Sequence, residues 1–145
     1  MNNLNDNKAN FIFELVNKFL NQKAILIIDD EDEIKSLMSN YLLKSQIEQD
    51  KIVTASDGKE AIAKIQNQDF GLIIVDILMP RMNGLQLIKE LKMRKKYRDI
   101  PILIISGSVD AENVKQAIMM GVSNIIVKPF TYNIFLDKVG RTLGI

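Results

Sequence analysis

The 145-residue chain contains no cysteine and no histidine. Without cysteine, disulfides, thiolate nucleophiles and zinc ribbons are excluded. Without histidine, the commonest general base, the commonest transition-metal ligand and the usual phospho-carrier side chain are missing too. Any chemistry must run on Asp, Glu, Lys, Ser, Thr and Tyr, and a site built from their oxygens suits a hard cation such as Mg²⁺. An excess of one charge is also lacking. Nineteen basic and 18 acidic residues leave a formal net charge of +1, which argues against a nucleic-acid surface or an acidic tail. Long apolar runs are absent as well. The segment Phe11-Ile12-Phe13-Glu14-Leu15-Val16 is interrupted by Glu14 and followed by Asn17 and Lys18, with no small-residue cleavage site after it. It is neither a bilayer span nor a signal core. A cytoplasmic protein without membrane contact is expected.

What is present is ordinary for one compact domain: 47% apolar and 26% charged residues, enough to bury a sizeable core. Residues 1–10 are Asn-rich and read as frayed. Phe11, Ile12, Leu15, Val16, Phe19 and Leu20 then recur on one face at helical spacing. From Lys23 the pattern changes. Lys23 to Ile28 is a continuous apolar run of the kind found in strands buried on both faces, and runs at 52–55, 70–75, 100–105 and 124–127 repeat it. Between them Ile34, Leu37, Met38, Tyr41 and Leu42 mark a helix. Ala61, Ile62 and Ile65 mark the next, followed by Leu85, Ile88 and Leu91, and by Val114, Ala117 and Ile118. Ile134, Phe135, Val139 and Leu143 mark the last. Gly121 stands where a left-handed helix cap is wanted. Five β-α repeats predict a doubly wound, all-parallel α/β sheet of five strands. The domain division is 1–22, an extension with an amphipathic helix, and 23–145, the α/β unit.

In such folds ligands sit at the carboxyl ends of the strands. Strand one ends in Asp29-Asp30-Glu31-Asp32, strand three in Asp76, strand four in Ser106-Gly107-Ser108 and strand five in Lys128-Pro129-Phe130. Ser56-Asp57-Gly58, after strand two, reads as a turn into a helix. Aligned in a parallel sheet, these ends place two or three carboxylates, a hydroxyl and an ammonium around one cleft. Carboxylates ~4 Å apart repel by about 4 kcal/mol at an effective dielectric of ~20. A divalent cation relieves that repulsion and bridges to a phosphoryl oxygen. Lys128 and Ser106 can meet further phosphoryl oxygens, which leaves Asp76 as the nucleophile for an aspartyl phosphate.

The acidic pair Asp29-Asp30, the stretch Asp76-x-x-Met79-Pro80-x-Met82-Asn83-Gly84, Ser106-Gly107 and Lys128-Pro129-Phe130 together resemble the receiver domain of two-component response regulators, of the single-domain chemotaxis type. The likeness spans roughly residues 23–144. It implies a flavodoxin-like (βα)5 fold with strand order 2-1-3-4-5. It also implies a phosphorelay switch, phosphorylated on Asp76 by a histidine kinase or a histidine phosphotransfer protein. By the same resemblance, Asp30 is the direct ligand of Mg²⁺, Asp29 assists through water, and the backbone carbonyl of Leu78 completes the protein ligands beside Asp76. Ser106 is the switch hydroxyl, Lys128 pairs with the phosphoryl group, and Pro129 follows a cis peptide bond. A downstream protein reads the surface formed by the fourth receiver helix, the fifth strand and the last helix. No metabolic reaction is implied, only assistance to the chain's own phosphorylation and dephosphorylation.

Three positions depart from or tune that pattern. Ile125 stands where an aromatic ring often turns inward on activation. Leu78 and Ser108 flank the phosphoryl position. Leu78 cannot orient a water, so slow self-dephosphorylation is expected, and Gly107 leaves room for a donor. Asp29-Asp30 as a mere helix cap, or Asp76 as an Asx turn, fails to explain the partners at the other strand ends. Met79 and Met82 read as packing residues, and the basic run from Lys92 to Arg98 as a solvated helix end. An Asp-nucleophile phosphatase of the haloacid dehalogenase type needs a second Asp where Leu78 stands. A flavodoxin needs a phosphate loop where four acidic residues stand. A receiver that signals without phosphorylation is the competing binding-module reading. The Phe11–Leu20 stripe could pack on its own domain, form a homodimer or dock a partner, since an exposed stripe of that size is a liability.

Overall fold

A computed structural model describes residues 3–79, 82–107 and 111–145. The elements are α1 (Asn3–Leu20), β1 (Ala24–Ile28), α2 (Asp32–Lys44), β2 (Ile52–Ala55), α3 (Gly58–Asn67), β3 (Phe70–Asp76), α4 (Gly84–Lys92), β4 (Ile102–Ser106), α5 (Ala111–Met119), β5 (Asn124–Val127) and α6 (Tyr132–Thr142). All strand pairings are parallel, in the order β2-β1-β3-β4-β5. This is the expected flavodoxin-like arrangement with one extra helix at the N-terminus.

The continuous apolar runs follow from covering both faces of the sheet. Side chains alternate across a strand, so Leu26, Ile28, Ile73, Val75 and Ile104 join one core with Ala61, Ile65, Leu87, Ile88 and Leu91. Ile25, Ile27, Ile74, Leu103 and Ile105 face the other way, onto Met38, Leu42, Phe135 and Val139. A strand that faced water on one side would need polar residues at every second position, and β1, β3 and β4 have none before their ends.

Local signals set the helix ends. Asp57 accepts a hydrogen bond from the Glu60 N–H and opens α3. Asn83 and Gln86 form a reciprocal capping box on α4, and Thr131 accepts from the Ile134 N–H of α6. Gly121 closes α5 with φ +88°, as its place in the sequence predicted. Gly84 has a different constraint. A Cβ there would run into the Asp76 carbonyl oxygen and lie 2.7 Å from the Ile77 Cα. Only glycine lets α4 begin that close to the end of β3.

The N-terminal segment departs from expectation twice. The helix begins at Asn3 rather than near Phe11, because Ala9 and Ile12 find tertiary contacts that periodicity alone does not reveal. The buried face is also rotated from the expected stripe. Phe13, Val16 and Leu20 are buried, whereas Phe11 and Phe19 are exposed. Seven apolar residues in the ten from 11 to 20 fit two adjacent helical stripes, and tertiary shape chooses between them. Ile12 lies over Gly140 of α6, and Leu20 fills the space beside Gly71 of β3, where a Cβ would meet it at 2.8 Å. Phe13 stacks on Tyr132 at 6.5 Å between ring centroids. One face of α1 therefore packs on its own chain. The helix stops without glycine: Asn21 and Gln22 both take left-handed conformations, φ 48° and 68°.

Candidate functional site

Four strand ends meet at the carboxyl edge of the sheet. The Asp29 N–H still donates to the Ala55 carbonyl, so Asp29 leaves β1 in register and fully buried. Asp76 is the last residue of β3, paired with Ile105 of β4. The Lys128 N–H donates to the Ser106 carbonyl at 2.8 Å, which ties the end of β5 to the end of β4. From there the Lys128 ammonium reaches Asp29 Oδ2 at 2.9 Å, Asp76 Oδ2 at 3.0 Å and Glu31 Oε1 at 3.4 Å. Ser106 is buried at the end of β4.

Oxygens of Asp29, Asp30, Glu31 and Asp76 lie within 4.8 Å of one another. Four carboxylates thus crowd together, three of them at ion-pair distance from one ammonium. Asp29 is the most constrained. Its Oδ1 accepts the Glu31 N–H at 2.9 Å, while the buried Oδ2 is at ion-pair distance from Lys128 without an aligned hydrogen bond. Burial pushes the Asp29 carboxyl above its ordinary pKa, against the opposing pull of the Glu31 N–H and Lys128. Burial would also discharge Lys128, but the nearby Asp29 and Asp76 carboxylates outweigh it and hold the ammonium above its usual pKa. The second Asp76 oxygen, Oδ1, accepts the Leu78 N–H at 3.1 Å, which fixes the rotation of that carboxylate.

The beginning of α2 shows that the acidic run is not a helix cap. Glu31 occupies the N-cap position, yet no side chain caps the helix, and the Glu31 carboxylate turns to Lys128 instead. Among the described residues this acidic group is the one assembled like a metal site. A hard divalent cation fits its donor set: every ligand is an oxygen, the cluster carries excess negative charge, and one buried carboxylate oxygen lacks an aligned partner.

The residues expected from the sequence are therefore brought together at Asp29, Asp30, Asp76 and Lys128, with Ser106 on the neighbouring strand end. Leu78 is 56% exposed beside Asp76. Gly107 is exposed, with no atom within 4 Å of where a Cβ would stand. Ile125 is half-buried against the core on the α3, α4 and α5 side. The Lys128–Pro129 peptide is cis, as the resemblance implied. Ser108 and Pro80 lie outside the described residues. Met79 is buried and Met82 packs against the same core, both as expected. Two residues have site contacts that the sequence pattern does not assign to them. Glu31 joins the acidic cluster, and its place in the Asp29–Asp32 run was the available signal. Lys35, buried in α2, donates to Ser56 Oγ at 2.6 Å and pairs with Asp32 at 3.1 Å, linking α2 to the end of β2. No periodicity distinguishes it from a solvated lysine.

The geometry agrees with what the chain is similar to. Residues 25–139 match the family model described as the response regulator receiver domain. A chemotaxis protein CheY homolog of Campylobacter jejuni is 35% identical over 121 residues, covering 83% of this chain and 92% of that protein. The chemotaxis protein CheY1 of Helicobacter pylori is 34% identical over 121 residues, covering 83% and 96%. Among solved structures, the chemotaxis response regulator CheY4 of Vibrio cholerae superposes with a TM-score of 0.75 at 32% identity, covering 83% of this chain and 98% of that one. No helix among the described residues is long and apolar enough to cross a membrane. With the sheet order, the acidic cluster and the family match in agreement, the chain belongs to the response regulator receiver domain family, whose work is phosphorelay signalling.

Proposed function

We propose that Asp76 accepts a phosphoryl group from a phosphohistidine of a histidine kinase or histidine phosphotransfer protein. A carboxylate oxygen of Asp76 attacks phosphorus as the N–P bond breaks, and the departing imidazole keeps the N–P electron pair and takes a proton. Asp29, Asp30 and Asp76, with Glu31 beside them and the Leu78 carbonyl, would hold Mg²⁺. When bound it would neutralise phosphoryl oxygens and offset the repulsion between the carboxylates. The Lys128 ammonium stands ready for a second phosphoryl oxygen, and the Ser106 hydroxyl can donate to a third once it turns toward the cleft. The chain acts on itself here and turns over no metabolite.

The observation that carries this reading is the placement of Lys128 Nζ within 3.0 Å of both Asp29 and Asp76. It is a cation already seated where anionic oxygens arrive. The aspartyl phosphate adds about 1.5–2 negative charges. Lys128 is drawn toward them, and because its backbone is tied to Ser106 the response spreads into β4, β5 and α5. This is a shift between two packed states, read by a downstream protein on the α5–β5–α6 surface, where Ile118, Met119, Val127 and Ile134 are exposed. Exposed, apolar Leu78 offers no group to orient an attacking water, so the phosphoryl group is long-lived, and rapid decay of isolated phosphoprotein would refute that.

Incubation with acetyl phosphate and Mg²⁺, followed by intact-mass spectrometry, tests the central claim. Wild type gains one phosphoryl mass and Asp76→Ala gains none. An unmodified wild type, or an equal adduct on both, overturns it and favours a receiver that signals by binding alone.

A further inference from the structure

Three carboxylates surround the Lys128 ammonium, and they are not held alike. Asp29 and Asp76, at 2.9 and 3.0 Å, are buried, whereas Glu31, at 3.4 Å, has a side chain that is 58% exposed. The Glu31 backbone is fixed on both sides. Its N–H donates to Asp29 Oδ1 at 2.9 Å, and its carbonyl accepts the Lys35 N–H at 3.1 Å. Only the side chain can swing, between Lys128 and water. A charge count sets Glu31 apart as well. Asp29, Asp30 and Asp76 bring three negative charges, which a divalent cation and Lys128 together balance. Glu31, with an oxygen within 4.8 Å of theirs, is the charge left over, and it stands at the exposed rim.

We propose that Glu31 selects the phosphoryl donor: its carboxylate occupies the Lys128 contact that an incoming phosphoryl oxygen needs, and its surplus charge repels small, doubly charged donors. This rests on Asp76 being the acceptor. An arriving phosphoryl group displaces Glu31 from Lys128, since that contact is the longest and most exposed of the three. A protein donor offsets the repulsion with contacts made elsewhere on the surface, because binding energy from non-reacting parts can compensate a cost at the reacting centre. A free acyl phosphate has no such parts. The cleft is thereby kept for a protein-borne phosphohistidine and guarded against small acyl phosphates.

Two small donors that differ in charge test this on the full chain. At pH 7 acetyl phosphate is a dianion, and phosphoramidate is a monoanion because its nitrogen is protonated. In both reactions an Asp76 oxygen bonds to phosphorus. The P–O bond of the first breaks and acetate leaves with the electron pair; the P–N bond of the second breaks and ammonia leaves with it. At saturating Mg²⁺ and matched ionic strength, Glu31→Gln reacts faster with acetyl phosphate, and its gain exceeds the gain with phosphoramidate by about fivefold, the effect of one unit charge at close range in water. Glu31→Lys moves the ratio further the same way, and Glu31→Asp keeps it near the wild-type value. Asp32→Asn removes the same charge one residue along, but that carboxylate pairs with Lys35, so its ratio stays near the wild-type value too. Mg²⁺ affinity, measured by calorimetry without a donor, falls severalfold in Glu31→Gln. Weaker metal binding with faster reaction is a pairing that mere loss of structure does not produce. A donor ratio indifferent to the charge at position 31 overturns the proposal and leaves Asp76 as the acceptor. So does slower reaction of Glu31→Gln with both donors, which would make Glu31 a metal ligand. A wild type that takes a phosphoryl group from neither donor sinks the Asp76 reading and this one with it.

Discussion

The acidic cleft at the carboxyl edge of the sheet and the aromatic seam beneath α1 are built from opposite materials and answer to opposite rules. In the cleft, Asp29 and Asp76 are buried within reach of one ammonium, and Asp30 and Glu31 add charge from the rim. In the seam, Phe13 stacks on Tyr132, Tyr41 meets Tyr132 edge-on at 5.3 Å, and Phe130 and Phe135 stack at 6.0 Å. Its few polar atoms are satisfied, with Ser45 Oγ bonded to the Tyr41 carbonyl and to the Tyr132 hydroxyl. The cleft holds a local excess of like charge that a stable fold does not need. The seam holds only what packing rewards. Residues of the cleft thus tell of function and those of the seam of stability, although only Pro129 separates Lys128 of the cleft from Phe130 of the seam in the chain.

Four substitutions would sharpen or break that contrast. The largest effect belongs to the seam. Phe13→Ala empties a fully packed site and should lower unfolding free energy by about 3–5 kcal/mol, measured by urea denaturation. Phosphorylation of the fraction still folded should be unaffected. Next comes Lys128→Met, which leaves Asp29 and Asp76 buried without their cation and should cost about 3 kcal/mol. A loss below about 1 kcal/mol would mean that the cleft is as well compensated as the seam. Asp29→Asn should act in the other direction, raising stability at neutral pH by about 1 kcal/mol. The sign follows from its carboxyl being held above the ordinary value of 3.8 by burial. Ionising Asp29 then opposes folding, fully so above its folded-state pKa and not at all below 3.8. The gain over wild type in thermal melts without added metal should therefore fade as pH drops toward and through that value. A destabilised Asp29→Asn at neutral pH would break the comparison outright. Smallest is Tyr132→Phe, which removes one hydroxyl hydrogen bond while Ser45 keeps its other partner, and should cost about 1 kcal/mol.

The sequence carried the sheet almost entire. Runs such as Ala24–Ile28 and Ile102–Ser106 are apolar at every position before their ends, and only a strand covered on both faces calls for that. It carried most of the site as well, since in a parallel sheet each strand end is a known place, and Asp29, Asp76, Ser106 and Lys128 each follow an unbroken apolar run. Where a strand ends is written locally, by the change from apolar to charged. What local pattern could not decide was rotation and reach. The start of α1 at Asn3 and the burial of Phe13 in place of Phe11 depended on where Gly71 and Gly140 open space, and those glycines are distant in sequence. Glu31 turning from its helix to Lys128, and Lys35 sinking beneath Ser56, depended on partners 97 and 21 residues away. Periodicity records which residues avoid water, but only the assembled chain determines which neighbours they meet.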